Sequence, residues 1–280
     1  AANEYGRTAL HLASRKGSLD IVQALLNHPG HPPVDLNIKD SGGSTALHYA
    51  CGNGHTDVAK LLLAHPSEPP LNLNAANKNR QTALHLASQS GSVNIIQTLL
   101  NHPGHPPVDL HIKDSDGHTA LHVACGNGHT DIAKLLLAHP SEPPLNLNAA
   151  NKSGQTALHL ASQEGSVGIV QALLNHPGHA PIDLHIKDCH GSTALHDACR
   201  NGHTDVAKLL LAHPSEPPLN LNAANEYGRT ALHLASRTGS ITIVQALLNH
   251  PGHPPIDLDA MGSDGWTALH LASYNGHIAI

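Results

Sequence analysis

The sequence predicts an all-α solenoid of helix-turn-helix units, and three observations support that fold class. The tetrapeptide Thr-Ala-Leu-His occurs eight times among the 280 residues, and successive copies are always 37 residues apart. A constant period of this length is typical of one supersecondary unit stacked many times. Apolar residues recur at helical spacing within each period. Aromatic residues make up 2% of the chain and Phe is absent, so short helices with small side chains can pack closely.

We interpret residues 1–280 as a single array of repeats. The predicted repeats are 1–37, 38–74, 75–111, 112–148, 149–185, 186–222, 223–259 and the incomplete 260–280. Odd repeats carry Ser six residues after the motif threonine, as at Ser14, whereas even repeats mostly carry Cys, as at Cys51. Because the two types alternate, the larger repeating unit has 74 residues.

Each repeat predicts a first helix, a turn, a second helix and a long loop. Thr8 is a suitable N-cap for the first helix, and Gly17 suits its left-handed C-terminal residue. The second helix is expected from near Ser18 to about Asn27, and Pro29 prevents its continuation. A short alternating segment at 34–38 and a turn at 39–43 complete the repeat. The predicted buried stripe of the second helix is Ile21, Val22, Leu25 and Leu26.

Three segments of the repeat carry a resemblance to a known family. Thr-Ala-Leu-His-x-Ala opens the first helix at Thr8–Ala13 and at seven further sites. Gly-His-Thr-Asp-Val-Ala-Lys-Leu-Leu-Leu opens the second helix at Gly54–Leu63, and the turn region is Asp35–Thr45. These segments resemble the ankyrin repeat, including its hairpin finger. The resemblance implies short β-hairpin fingers, and a concave groove lined by fingers and first helices.

The repeats depart from the family pattern in two ways. Their period of 37 residues exceeds the family period of about 33 residues, and Ala9 stands where the family usually has Pro. Alanine is harmless in the first helical turn. The four extra residues fall in the proline-containing loop after the second helix, so we expect them to lengthen one rim of the solenoid.

Comparison between the repeats gives candidate partner-binding residues. The copies nearly agree in second helices and loops, but they differ just before the motif threonine and four, seven and eight residues after it. The resemblance implies that these positions line the concave groove, where Tyr and Trp are favoured anchors. Neutral drift at exposed positions is the alternative explanation. The candidates are Tyr5, Arg7, Tyr49, Arg80, Val123, Asp197, Tyr227, Arg229, Trp266 and Tyr274.

The 27 histidines separate into two groups. The eight motif histidines and four Gly-His openings of second helices are expected to be structural, as the resemblance implies. Loop pairs flank a Pro-Gly turn and could offer two metal ligands each, but no further ligand recurs to complete a zinc site. We therefore predict no metal site. Protonation of loop histidines predicts lower thermal stability at pH 5 than at pH 7. The pairs are His28/His31, His102/His105, His176/His179 and His250/His253.

Composition and motifs exclude several function classes. A net charge of −6 with scattered Lys and Arg argues against nucleic-acid binding, and no apolar run is long enough to insert into a membrane. No phosphate loop, dinucleotide fingerprint or zinc-protease motif occurs, and a single active site would interrupt the repeat pattern. We predict no enzyme activity and no cofactor. The spacing of Cys51, Cys125 and Cys199 predicts buried, reduced thiols, which favours a cytoplasmic protein.

The sequence therefore predicts a non-catalytic scaffold that binds a protein partner through the concave groove. The alternative is a structural role as a head-to-tail filament or elastic spacer, because neither end carries the polar cap expected of a soluble solenoid. An equally simple reason for the missing caps is that the chain is a window of a longer protein.

Overall fold

The computed structural model describes residues 2–28, 34–103, 107–177, 181–251 and 255–280. The chain divides into two compact units, Ala1–Leu145 (unit 1) and Asn146–Ile280 (unit 2), which we describe separately. Unit 1 contains the helices α1 (Ala9–Lys16), α2 (Leu19–Leu26), α3 (Ala46–Gly52), α4 (Thr56–Ala64), α5 (Ala83–Gln89), α6 (Val93–Leu100), α7 (Ala120–Gly126) and α8 (Thr130–Ala138). Unit 2 contains α9 (Ala157–Glu164), α10 (Val167–Leu174), α11 (Ala194–Arg200), α12 (Thr204–Ala212), α13 (Ala231–Thr238), α14 (Ile241–Leu248) and α15 (Ala268–Tyr274).

The helices alternate between a first and a second helix of each repeat, which confirms the predicted all-α solenoid. Odd-numbered helices are first helices, and within each unit they pack against one another more closely than the second helices do. Small residues permit this approach, because Ala50, Ala87, Ala161 and Ala198 are completely buried between neighbouring first helices. The core of each unit therefore lies between its two rows of helices.

The first helices begin where the sequence predicts. Thr8 adopts an extended backbone conformation, and its hydroxyl accepts a hydrogen bond from the backbone N–H of His11. In return, Nδ1 of His11 accepts a hydrogen bond from the backbone N–H of Thr8, at 3.1 Å. The same reciprocal capping box occurs at all eight first helices. Two backbone N–H groups at the start of each short helix, which have no partner within the helix, thereby gain hydrogen-bond acceptors.

The motif histidines also connect neighbouring repeats. Because Nδ1 accepts a hydrogen bond, the neutral ring carries its hydrogen on Nε2. Nε2 of His48 donates to the carbonyl of Gln81 at 3.1 Å, and Nε2 of His159 donates to the carbonyl of Ser192 at 3.1 Å. One imidazole thus joins the start of its own helix to the finger of the following repeat. The same bridge is made by His11, His85 and His233, whereas His196 donates to the carbonyl of Ala223, which precedes the next finger turn.

The fingers are tight turns closed by backbone hydrogen bonds. In the second finger, the N–H of Asp40 donates to the carbonyl of Ser44, and the N–H of Gly43 donates to the carbonyl of Asp40. Successive fingers in a unit are joined by one backbone hydrogen bond, such as Lys78 N–H to the Gly42 carbonyl at 2.9 Å. The described residues contain no β-strand, only an isolated bridge between Ala2 and Thr8. The predicted hairpins are therefore turns too short to form paired strands.

The second helices form the other wall of the core. In repeat 3 the side chains of Ile95, Ile96 and Leu99 are almost completely buried, as the helical spacing predicts. In repeat 1, Val22 and Leu26 are buried, but the prediction is wrong for Ile21, which is 54% exposed. The equivalent residues of later repeats, such as Val58, Ile95 and Ile132, are almost completely buried.

Repeat 8 differs from the prediction at its second helix. The residues that follow α15 form turns, in which the N–H of Ile280 donates to the carbonyl of His277. A helix was expected to begin here. The N–H of Ile278 donates to the carbonyl of Gly276, so turn bonds replace the first helical bonds, and a helix without its first bonds is not nucleated.

The predicted Gly-His structural histidines are confirmed as caps of helix ends. His55 donates from Nε2 to the carbonyl of Arg15, at the end of α1, and His203 donates to the carbonyl of Gln163 in α9. The loop histidine His102 likewise donates to the carbonyl of Leu63, near the end of α4. These bonds satisfy carbonyls that a helix end leaves without partners.

The long loops are tied to the next repeat by side-chain amides. Asn74 donates from Nδ2 to the carbonyl of Pro107, and its Oδ1 accepts from the N–H of Asp109. Asn222 makes the same pair of bonds with Pro255 and Asp257. These bonds hold the described ends of the loops against the neighbouring repeat. Four loop histidines lie outside the described residues: His31, His105, His179 and His253.

The cysteines occupy the predicted environments. Cys51, Cys125 and Cys199 are completely buried and unpaired, and burial raises the pKa of each thiol. Cys189 is exposed. Across the described residues, every helix is too short or too polar to cross a membrane.

Burial of the motif histidines predicts pH-dependent stability. Burial lowers the pKa of both His48 and His196 to about 4, compared with about 6.5 in an unfolded chain. Between these values the unfolded chain binds a proton that the folded ring does not, so stability falls as the pH drops from about 6.5 towards 4. At pH 5 each of these rings should lower the free energy of unfolding by about 2 kcal/mol relative to pH 7.

The measurement is a set of urea unfolding curves at pH 7, 6 and 5. The matched variant is His48→Gln, because glutamine at this position preserves the capping box but does not titrate. We expect this variant to lose about 2 kcal/mol less than the wild type between pH 7 and 5. An identical pH dependence of the two proteins would contradict the assignment.

Candidate partner-binding face

We define the finger face of each unit as its finger turns together with the side chains four, seven and eight residues after each motif threonine. In unit 1 this face brings Tyr5, Arg7 and Tyr49 together. The Arg7 guanidinium lies 5.5 Å from the ring centre of Tyr5 and 5.5 Å from that of Tyr49. Such contacts combine a cation with aromatic surface, the combination that protein interfaces favour.

A buried carboxylate holds this cluster in place. The hydroxyl of Tyr49 donates to Oδ2 of Asp40 at 2.6 Å, and Nε of Arg7 donates to the same oxygen at 3.2 Å. Burial and the Asp40 hydrogen bond raise the pKa of Tyr49. Burial opposes ionisation of Asp40, but hydrogen bonds from Tyr49, Ser44 and Arg7 outweigh it and lower the pKa of that carboxyl. Arg7 therefore has its acceptors within the protein.

Arg80 occupies the tip of the third finger in an unusual backbone conformation. Its φ angle is 59°, in the left-handed region, and the equivalent residues of other fingers are glycines, such as Gly6 and Gly43. A non-glycine residue in this region costs about 1–2 kcal/mol. Arg80 is exposed, so the strained backbone presents a cation to solvent.

Asp197 and Val123 contribute less exposed surface than the sequence suggested. Val123 is half-buried on α7. The Asp197 side chain is only 4% exposed, and its Oδ2 has no hydrogen-bond partner among the described residues. Burial, partly offset by the positive charge of Arg200, raises the pKa of Asp197 to about 7. Among the described residues, Arg80, Val123 and Asp197 form no side-chain hydrogen bond, ion pair or ring contact with the other candidates.

Unit 2 carries two groups of candidate residues on its finger face. Tyr227 is 54% exposed and stacks on His190, which is hydrogen-bonded to Glu226 at 2.6 Å. The Trp266 and Tyr274 rings meet edge to face, with their centres 5.1 Å apart. Both groups present aromatic surface to solvent.

Arg229 belongs to a third group, together with two arginines that sequence comparison missed. Arg229, Arg200 and Arg237 line one cavity with Tyr227 and Asp264. The signal for Arg200 was present in the sequence: it stands seven residues after the motif threonine, where even repeats 2 and 4 have glycine. Without the structure, nothing indicated that the three arginines surround one space.

One cluster of metal-ligand types occurs among the described residues. Side-chain ligand atoms of Asp114, Asp116 and His118 lie within 4.8 Å of one another in the fourth finger. However, Oδ1 of Asp114 already accepts hydrogen bonds from the backbone N–H groups of Asp116 and His118. Asp40 closes the second finger in the same way. The cluster is therefore explained by the turn.

Two further grooves lie away from the finger face. In unit 1 a groove of about 760 Å³ runs between α4, α6 and the loop around Pro66, and unit 2 has an equivalent groove of about 540 Å³ around Pro214. The lining residues are nearly the same in both units because the repeats are nearly identical there. These grooves follow from the four extra loop residues, which hold the loop away from the helices.

The stacked helix pairs, capped by a Thr-x-x-His box and joined through short fingers, define the chain as a helical repeat protein. The chain belongs to the ankyrin repeat family. The family profile described as "Ankyrin repeats (3 copies)" matches residues 31–106, 104–183, 144–220, 178–259 and 218–280. The profile "Ankyrin repeat" matches residues 5–41. Ankyrin repeats generally mediate protein–protein interactions.

A solved structure supports the same assignment. The chain is similar to the crystal structure of the ankyrin repeat domain of Bcl-3, which is described as a unique member of the IkappaB protein family. The TM-score is 0.65 and the sequence identity 29%, over 87% of this chain and 99% of that chain. None of the curated proteins compared with the chain matches it.

The burial of Asp197 predicts that its ionisation lowers the stability of the fold as the pH rises, and that one substitution removes this effect. An aspartate has a pKa of about 3.9 when unfolded, whereas that of Asp197 is about 7 in the fold. The folded state therefore holds the proton more tightly, and stability falls as the pH rises from about 4 to 7. In Asp197→Asn this dependence disappears.

Urea unfolding at pH 5 and pH 8 measures the effect. At each pH the free energy of unfolding of the wild type is subtracted from that of Asp197→Asn. We expect this difference to be about 2–3 kcal/mol larger at pH 8 than at pH 5. Asp205→Asn, which removes an exposed aspartate of α12, is the control for loss of a negative charge. Equal differences at the two pH values would contradict the burial of an ionisable carboxyl.

The backbone of Arg80 gives a separate stability prediction. Arg80→Gly should raise the free energy of unfolding by about 0.5–1 kcal/mol, because glycine adopts a positive φ without strain. Arg80→Ala is the matched control: it removes the same side chain but keeps the strain, so its stability should stay near that of wild type. If alanine stabilises as much as glycine, the gain comes from removing the side chain and the strain argument fails.

Proposed function

We propose that the chain is a non-catalytic scaffold that binds a protein partner through the finger face of each unit. The observation that carries this proposal is where the repeats differ. Side chains that distinguish one repeat from another are concentrated on the finger face, and the tyrosines Tyr5, Tyr227 and Tyr274 are 54%, 54% and 77% exposed there. Residues that build the stack are nearly identical and buried.

Two further features support this proposal. Tyrosine and tryptophan are the side chains that most often anchor interfaces, and both exposed aromatic groups of unit 2 lie on the finger face. Ankyrin repeats generally bind proteins, and the close packing of first helices agrees with a concave side formed by fingers and first helices. The buried unpaired cysteines support a cytoplasmic location.

The test is affinity capture with two matched sets of variants, analysed by quantitative mass spectrometry. The first set combines Tyr5→Ala, Trp266→Ala and Tyr274→Ala on the finger face. The control set replaces Lys60, Asp131 and Lys208 of the second helices by alanine. A finger-face interaction requires that proteins captured by the wild type are lost with the first set and kept with the control. Loss with the control set only would assign binding to the second helices.

A structural, self-assembling role is the second candidate function. Repeat 8 exposes the apolar side chains of Met261, Leu269 and Ile278, and a copy of the chain could cover them. Sedimentation velocity and electron microscopy of the purified chain distinguish the two candidates. Regular fibres that disappear in Leu269→Glu would favour assembly, whereas monomers at all concentrations would eliminate it.

A further inference from the structure

Unit 2 has a cavity of about 390 Å³ on its finger face. Its described lining residues come from the fingers of repeats 7 and 8 and from the C-terminal turns of α11 and α13. They include Arg200, Arg229 and Arg237, with Asp264 as the one acidic residue among them. Three guanidinium groups around one space repel one another unless an anion lies between them.

Arg229 has a counterpart in unit 1 with a different environment. Arg7 occupies the same position in an identical finger sequence, Asn-Glu-Tyr-Gly-Arg-Thr. Nε of Arg7 donates to the buried carboxylate of Asp40 and to the hydroxyl of Tyr49, at 3.2 and 3.0 Å. The first finger therefore carries an arginine whose charge is neutralised within the protein.

Neither acceptor exists in unit 2. Gly262 stands at the position of Asp40, and Leu271 stands at that of Tyr49. Arg229 contacts Asp264 through Nη2 instead, and the Asp264 side chain is half exposed. Within the described part of the chain, Nη1 of Arg229 is buried without a hydrogen-bond partner. A buried donor without an acceptor is unfavourable, so the guanidinium of Arg229 is not fully compensated within the described part of the protein.

The remaining charges leave the cavity positive. Oδ1 of Asp264 is also occupied, because it accepts a hydrogen bond from the N–H of Trp266 at 3.2 Å. Arg200 uses Nη2 to bond the hydroxyl of Ser192 at 3.0 Å, which orients its guanidinium without neutralising it. Arg237 is exposed at the edge. Three arginines thus line a cavity in which Asp264 is the one acidic lining residue, and Asp197 lies close enough to Arg200 to interact with its charge.

We propose that this cavity binds a carboxylate of an aspartate or glutamate side chain, presented by an acidic segment of a protein partner. The proposal rests on the protein-binding function proposed above and specifies the chemistry of the partner. A guanidinium presents paired N–H donors that match the two oxygens of a carboxylate. Tyr227, also in the wall, offers an exposed ring against which the partner's chain can pack.

The test measures fluorescence anisotropy of a short labelled peptide in which glutamate alternates with serine. The wild type should bind this peptide at low salt, and the same peptide with glutamine in place of glutamate should bind at least about tenfold more weakly. Arg229→Gln should weaken binding of the glutamate peptide at least about tenfold. Lys60→Gln, which removes an exposed cation from the second helix α4, should leave it unchanged.

A second variant leaves all three arginines in place. Gly262→Asp restores the internal acceptor found in unit 1, so it should weaken binding at least about tenfold without removing a positive charge from an arginine. Circular dichroism checks that both variants keep their helices. The proposal is overturned if Arg229→Gln binds the glutamate peptide as the wild type does, or if Gly262→Asp has no effect.

Two more outcomes are decisive. If a phosphoserine peptide binds at least about tenfold more tightly than the glutamate peptide, the cavity is a phosphate site and the carboxylate assignment is wrong. If no anionic peptide binds the wild type, the carboxylate proposal fails. The protein-binding proposal is judged separately, by capture with the Tyr5, Trp266 and Tyr274 variants, which leave the three arginines intact.

Discussion

The structure depends on a neutral imidazole that performs two tasks at once. Within each unit, motif histidines such as His48 and His159 close the capping box at the start of their own helix and donate to a carbonyl of the next repeat. Only the tautomer with hydrogen on Nε2 can do both. Helices of seven to nine residues are unstable in isolation. They therefore depend on contacts with neighbouring helices, and the imidazole that caps the start of a first helix supplies one of these contacts.

Much of the fold follows from the sequence because each signal is local and repeated. Thr8 with His11 defines a helix start, Gly17 a helix end and Pro29 a helix limit, and these signals recur every 37 residues. The exposed Ile21 and the missing helix after His277 could not be predicted from the repeat pattern. Both lie in the outermost repeats of the sequence, repeat 1 and repeat 8, where burial and helix formation differ from the repeats between them.

The candidate face was predictable only in part. Differences between repeats identified Arg7, Tyr49 and Arg229, but not Asp40, which recurs in several fingers and therefore gave no contrast. The burial of individual side chains also could not be predicted from the sequence. Asp197 varies between repeats in the same way as an exposed residue, yet it is buried with a raised pKa. Variation between repeats identifies positions where the packing tolerates different side chains. Which side chains touch one another, and which charges are neutralised, can be seen only in the structure.

The two identical fingers that carry Arg7 and Arg229 have an evolutionary consequence. Arrays of this kind grow by duplication, and each copy inherits an arginine together with the residues that neutralise it. Both acceptors differ in the neighbouring copy, where Gly262 stands at the position of Asp40 and Leu271 at that of Tyr49, so the inherited cation contacts the half-exposed Asp264 instead. A duplicated repeat can therefore acquire a new specificity by losing a side chain, with no need to evolve a new one.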